Sequence, residues 1–257
     1  MLNLRMKTTR HTISINGLDV AYYQFGHGTP LLFLHGGRVR ALTFKRSLEQ
    51  LSKRYTIIAP DIPGYGASAT PKGEWSYSDY AVFFNSFLDK LELDDVTLVG
   101  YSMGGGIAFN LAAINSQVAR LVLVDSSGLH AVNKRSNPHD LRRLSFYLKH
   151  PPYYSTLAVL LREYLQFIWK HRGDYSHMQH IRQSCRKTSY EKGLRKVSVP
   201  TLLVWAQDDR IIPVATANVF QKRIPKAVLK TVKGNHDWPL YKPAPLVKSI
   251  LTWTKTT

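Results

Sequence analysis

The stretch "LVGYSMGGGIAF", residues 98–109, decides how the rest of the chain is read. An apolar run stops at Gly100-Tyr101-Ser102-Met103-Gly104, and two more glycines lead into a second apolar segment. Gly-x-Ser-x-Gly alone means little. With each residue type near 7%, a chain of this length shows one by chance roughly one time in ten. What surrounds it has to carry the case.

Moving outward, short continuous apolar runs recur: "PLLFLHG" (30–36), "YTIIAPD" (55–61), "VTLVGYS" (96–102), "ARLVLVDS" (119–126), "PTLLVWAQ" (200–207) and "AVLKTV" (227–232). Runs of this kind, buried on both faces, are what a parallel sheet requires. Helical patterns lie between them. Phe44, Leu48 and Leu51 share one face, and Tyr80, Phe83, Phe84, Phe87, Leu88 and Leu91 follow helical spacing, as do Leu246, Ile250 and Trp253. At the start, "HTISIN" and "LDVAYYQFG" alternate around the turn signal Asn16-Gly17 and predict a hairpin. The whole predicts an α/β chain with a doubly wound, mostly parallel sheet.

One interval breaks the alternation. Between about 131 and 197 no sheet-like run occurs. Instead Leu157, Leu160, Leu161, Tyr164, Leu165 and Ile168 predict an amphipathic helix, entered after Pro151-Pro152 and ended near Gly173. A second helix is expected over 177–187. The chain is thus divided into a core, 1–130 and 198–257, and a helical insertion, 131–197.

Composition narrows the class. The apolar fraction is 44%, enough for a real core. No apolar run approaches the roughly 18 residues of a membrane span. The N-terminus "MLNLRMKTTRHT" lacks the apolar stretch of a signal peptide, and Cys185 is the sole cysteine, so no intrachain disulfide can form. The expectation is a cytoplasmic protein. The 35 Lys/Arg against 17 Asp/Glu give a net charge of +18, an excess that favours anionic company.

In a doubly wound sheet, functional groups gather at the carboxyl ends of strands. His35-Gly36-Gly37 follows the first run, Asp61 the second, Ser102 the third and Asp125 the fourth. Asp208 and Asp209 follow the fifth, and Gly234-Asn235-His236 the last. A serine, an acid and a histidine therefore come at strand ends, in that order. A serine hydroxyl attacks an acyl carbon once a base removes its proton, and His236 is a base of suitable basicity. A carboxylate behind the imidazole would fix its tautomer. No metal-ligand spacing, dinucleotide fingerprint or P-loop occurs, so neither metal nor cofactor is expected.

These segments together resemble the α/β-hydrolase family. "GYSMG" is similar to its nucleophile elbow, "HGG" to its oxyanion loop and "DIPGYGAS" to its β4 loop. "DDRIIP" resembles its acid turn and "GNHDWP" its histidine loop, and the insertion falls where the family carries a helical cap. The resemblance implies Ser102 as nucleophile, His236 as general base and acid, and backbone N–H groups of Gly37 and Met103 as the oxyanion hole. Asp209 satisfies the family's Asp-x-x-aliphatic-Pro pattern. Asp208 is then turn support, and Asp125 occupies the position some members use for the acid.

The resemblance implies cleavage of a small ester or related acyl compound. A C–C bond hydrolase, an acyltransferase or a perhydrolase would use the same residues, and a non-catalytic binding protein on this scaffold is the alternative from another class. Arg38, where many members carry a small, proline or aromatic residue, is a candidate contact for a carboxylate or phosphate on the substrate. Residues 131–197 hold 14 Lys/Arg against 4 Asp/Glu, with Tyr153, Tyr154, Tyr164, Phe167, Trp169 and Tyr175 among them. The expected company is an anionic or amphipathic acyl substrate or an acidic membrane surface. Nucleic acid is disfavoured, because the periodic aromatics are expected to pack onto the core.

Overall fold

The computed structural model describes residues 8–129, 141–173 and 190–256. The expected helix over 177–187, the loop 131–140 and Cys185 lie outside the described residues. The chain opens with the expected hairpin, β1 (Thr9–Ile15) paired antiparallel with β2 (Leu18–Gly26). Its turn residues have positive φ, 51° at Asn16 and 78° at Gly17. That handedness matches the twist of the two strands.

Six further strands complete one sheet: β3 (Thr29–Leu34), β4 (Tyr55–Pro60), β5 (Val96–Tyr101), β6 (Val118–Val124), β7 (Thr201–Ala206) and β8 (Ala227–Val232). Their order is β1-β2-β4-β3-β5-β6-β7-β8. Only the β1–β2 and β2–β4 pairs are antiparallel. The predicted mostly parallel, doubly wound sheet is what forms.

Side-chain alternation sends the two faces of this sheet into separate cores. Leu32, Leu34 and Leu98 pack with α2 (Tyr77–Lys90), α3 (Met103–Ala112) and α7 (Ala215–Arg223). Leu31, Phe33 and Val99 pack against α1 (Lys45–Leu51) and α9 (Pro243–Trp253) on the other side. The helix α2 buries Tyr80, Phe83, Phe84, Phe87 and Leu88, the predicted stripe. It starts at Ser76, whose N–H and that of Asp79 are satisfied reciprocally by the two side chains at 2.7 and 3.3 Å.

Two expectations fail here. β8 is an edge strand, not a strand buried on both faces: its residues alternate between half-buried and exposed. Lys230 on it discourages pairing with another chain. The second failure is in the segment between β6 and β7, which carries α4 (Leu141–Lys149), α5 (Tyr154–Lys170) and α6 (Glu191–Leu194). The predicted helix is α5, but its apolar stripe is not its packing face. Thr156, Glu163 and Phe167 are buried, while Leu161, Tyr164 and Leu165 are exposed. Leu157 and Leu160 reach the core only partly. Among the described residues, no helix is long and apolar enough to cross a membrane.

Candidate active site

The strand β5 is central and buried throughout, and it delivers Ser102 to the sheet's carboxyl edge. Ser102 adopts φ 53° and ψ −116°, a strained conformation for a residue with a Cβ. The surroundings hold it there. Its N–H donates to the Val124 carbonyl at 2.9 Å, and its own carbonyl accepts from the N–H groups of Gly105 and Ser127 at 3.0 and 3.1 Å. The tight turn also explains two glycines. A Cβ on Gly104 would lie 2.2 Å from the Leu34 carbonyl oxygen, and one on Gly100 would lie 2.5 Å from that of Gly104.

From the loop after β8, His236 reaches this turn. Its Nε2 lies 3.0 Å from Ser102 Oγ, and its Nδ1 lies 2.6 Å from Asp209 Oδ2. Asp209 sits on the turn after β7, where its other oxygen accepts the N–H groups of Ile211 and Ile212, both at 2.8 Å. The Tyr101 hydroxyl donates to the His236 carbonyl at 2.9 Å. Burial pulls the His236 pKa down, but the Asp209 charge and hydrogen bond, with Asp125 behind them, raise it above its usual 6.5. Such a chain of groups can pass a proton from the hydroxyl to a charge-stabilised imidazole.

The other candidate acids separate by geometry. Asp208 is exposed, and its N–H donates to the Gly234 carbonyl. Asp125, at the end of β6, is fully buried, with Oδ1 on the Ala206 N–H at 2.8 Å and Oδ2 on Trp238 Nε1 at 2.7 Å. Burial and the neighbouring Asp209 charge push its pKa well up. Ligand-type atoms of Asp125, Asp209 and His236 lie within 4.8 Å of one another. All of them are taken up by hydrogen bonds, so the cluster reads as a polar network. Asp237 accepts from the Tyr147 hydroxyl at 3.1 Å, tying α4 to the histidine loop.

The loop after β3 flanks the serine. His35 is buried and works as a loop staple: its Nδ1 lies 2.7 Å from the Gly36 carbonyl, and its Nε2 accepts the Ile62 N–H. That pattern needs a neutral ring, and burial lowers its pKa accordingly. Asp61 accepts the N–H groups of Ala41 and Ala67. A Cβ on Gly37 would touch Met103 Sδ and the Tyr65 hydroxyl, each at 3.7 Å, so the loop meets the start of α3 beside Ser102. Met103 begins α3, so its N–H has no partner within the helix.

Arg38 has φ 64° and is exposed, with its guanidinium 5.6 Å from the Tyr164 ring centre. A cleft of about 280 Å³ opens between this loop and α5, lined by Arg38, Arg40, Tyr65, Glu163, Phe167 and Lys170 among others. Periodicity alone could not have found the inner face of α5. Glu163 pairs with Arg40 at 3.1 Å and Arg162 at 3.0 Å. The Lys170 ammonium donates to the carbonyls of Tyr65, Gly66 and Ser68, and the Phe167 ring stacks on Tyr65 at 5.1 Å. Burial lowers the Lys170 pKa.

Comparison with known proteins agrees with this fold. Residues 31–249 match the profile described as "Alpha/beta hydrolase family". A 2-hydroxy-6-oxo-6-(2'-aminophenyl)hexa-2,4-dienoic acid hydrolase of Metapseudomonas resinovorans is 26% identical over 81% of this chain and 77% of its own. Among solved structures, a bacterial membrane phospholipase A superposes with a TM-score of 0.81 at 22% identity, covering 97% of this chain and 86% of that one. An esterase from Exiguobacterium antarcticum reaches 0.73 at 23%, over 96% and 100%.

Proposed function

The chain belongs to the alpha/beta hydrolase family, and from that premise we propose that it is a serine hydrolase of small esters or related acyl compounds. The observation that carries this reading is the unbroken series from Ser102 Oγ through His236 to Asp209, at 3.0 and 2.6 Å. In this reading Ser102 Oγ attacks the acyl carbon while His236 Nε2 takes its proton. The carbonyl oxygen becomes an oxyanion facing the N–H groups of Gly37 and Met103, at the positive end of α3. Collapse breaks the bond to the leaving group, which receives the proton from His236. Water then attacks the acyl-enzyme by the same route and releases the acid. Asp209 holds the Nδ1–H tautomer throughout and stabilises the imidazolium.

The cleft beside Arg38 suits a substrate with an anionic end. Arg40 is already paired with Glu163, whereas no carboxylate pairs with Arg38 among the described residues. The same residues can hydrolyse a carbon–carbon bond beside a ketone. That second reading is favoured by the 26% relative, whose named substrate carries a ketone and a carboxylic acid but no ester.

A fluorophosphonate probe is expected to label the wild type at Ser102 and to leave Ser102→Ala unlabelled. A folded wild type that takes no label refutes the serine mechanism. Turnover of p-nitrophenyl esters of increasing acyl length then separates the readings. Poor turnover of every ester by a protein that still labels moves the assignment to carbon–carbon cleavage.

A further inference from the structure

The helix α5 faces the wrong way for a core helix. Its inward side carries Thr156, Glu163, Phe167 and Lys170, while its outward side carries an apolar stripe flanked by Ser155, Arg162 and Gln166. Tyr154, Ala158, Leu161, Leu165 and Trp169 recur at helical spacing along that outer side. Leu161 is 52% exposed, Leu165 64% and Trp169 68%, and Leu148 at 60% extends the patch onto α4. Most of the large exposed apolar side chains among the described residues lie on these two helices. Scattered exposed leucines are ordinary, but a continuous stripe along roughly 25 Å of helix is not.

We propose that the outer face of α5 docks on an anionic lipid surface. The charges around the stripe decide among occupants. Lys149, Arg162 and Arg172 are exposed beside it, and Glu163 is the sole acid that the sequence places in 141–173. That one acid is buried in ion pairs with Arg40 and Arg162. No acidic side chain therefore belongs to the exposed surface of this segment, and the Arg172 guanidinium lies 4.2 Å over the Trp169 ring at the stripe's end. An apolar stripe with an aromatic at the end and basic rims is the composition of a helix lying in the headgroup region. A second copy of the chain would bring the same basic rim against itself, at +18 per molecule. A nucleic acid would leave the leucines at the centre without partners.

The inference goes beyond the serine chemistry and does not depend on it. It adds a consequence for that reading: α5 lines the cleft beside Arg38 with its inner side. Docking the outer side would hold that cleft about one helix diameter from the lipid surface.

The test compares the wild type with Leu165→Gln and Trp169→Gln, singly and together, on phosphatidylcholine vesicles with and without phosphatidylglycerol. Both residues are exposed, and circular dichroism and fluorophosphonate labelling check that the variants remain folded. The wild type is expected to bind the anionic vesicles, with its tryptophan emission quenched by brominated acyl chains. The double variant should lose vesicle partitioning by about tenfold or more while keeping its heparin affinity within about twofold. Binding without bromolipid quenching would mean adsorption by charge alone, and it overturns the proposal. So does a double variant that partitions like the wild type. If instead the double variant changes oligomeric state in the absence of lipid, the occupant is a second copy. If it loses heparin or RNA affinity in parallel, the occupant is a polyanion. Either result also overturns the lipid assignment.

Discussion

Asp209→Asn is the substitution whose outcome the geometry determines most tightly. The Asp209 Oδ1 position accepts two N–H groups, from Ile211 and Ile212, each at 2.8 Å. An asparagine must put its carbonyl oxygen there, because an amide NH₂ would face two donors. Its NH₂ is then forced toward His236 Nδ1, which sits 2.6 Å from the present Oδ2. To accept that N–H, His236 must move its own proton to Nε2, so that an N–H faces Ser102 Oγ 3.0 Å away. An imidazole in that tautomer cannot take the serine proton. The expected loss is about 10⁴-fold in kcat, about 5.5 kcal/mol in barrier, with little change in KM. The assay is steady-state hydrolysis of a p-nitrophenyl ester, with the rate of fluorophosphonate labelling as a substrate-independent check. Asp125→Asn is the control. Asp125 bonds Ala206 and Trp238 rather than the histidine, so it should cost stability and less than about tenfold in kcat. An Asp209→Asn enzyme within about tenfold of wild type refutes the reasoning. If Asp125→Asn is instead the dead variant, Asp125 is the acid.

Four further outcomes follow from the same structure. Because the His236 pKa is raised above 6.5 and the neutral ring is the base, the acid limb of kcat/KM should lie above pH 6.5. The same shift favours folding below pH 6.5, and that contribution is lost as pH rises through the folded pKa; urea melts of wild type and His236→Gln across this window should show it. Gly104→Ala should cost about 3 kcal/mol or fail to fold, because its Cβ would meet the backbone oxygens of Leu34 and His35 at 2.2 and 2.5 Å; equilibrium denaturation reads the loss. Lys170→Met removes the ammonium from the carbonyls of Tyr65, Gly66 and Ser68 and should lower stability by about 1–2 kcal/mol. Proteolysis should then begin within 64–68, and an unchanged cleavage pattern would show that Lys170 does not hold this loop.

Much of this protein was legible in the order of its residues. Continuous apolar runs marked β3 to β7 as strands buried on both faces, while the last and most polar run became the half-exposed edge strand β8. The polar residues after each run fall at the carboxyl ends of those strands, so Ser102, Asp209 and His236 had to approach one edge of the sheet. Glycines at 100 and 104 are readable too, since an α/β turn that tight leaves no room for a Cβ. Tertiary structure decided what local pattern cannot encode. Periodicity shows that α5 has an apolar side, not which side meets the core. That depended on Arg40 pairing with Glu163 and on three carbonyls of a distant loop receiving Lys170. It also decided that Asp208 faces solvent while its neighbour Asp209 turns inward, and that Asp125 spends both oxygens on Ala206 and Trp238. Each of these outcomes is a choice among partners remote in sequence. Such choices are settled by which buried polar groups find hydrogen bonds once the sheet has closed.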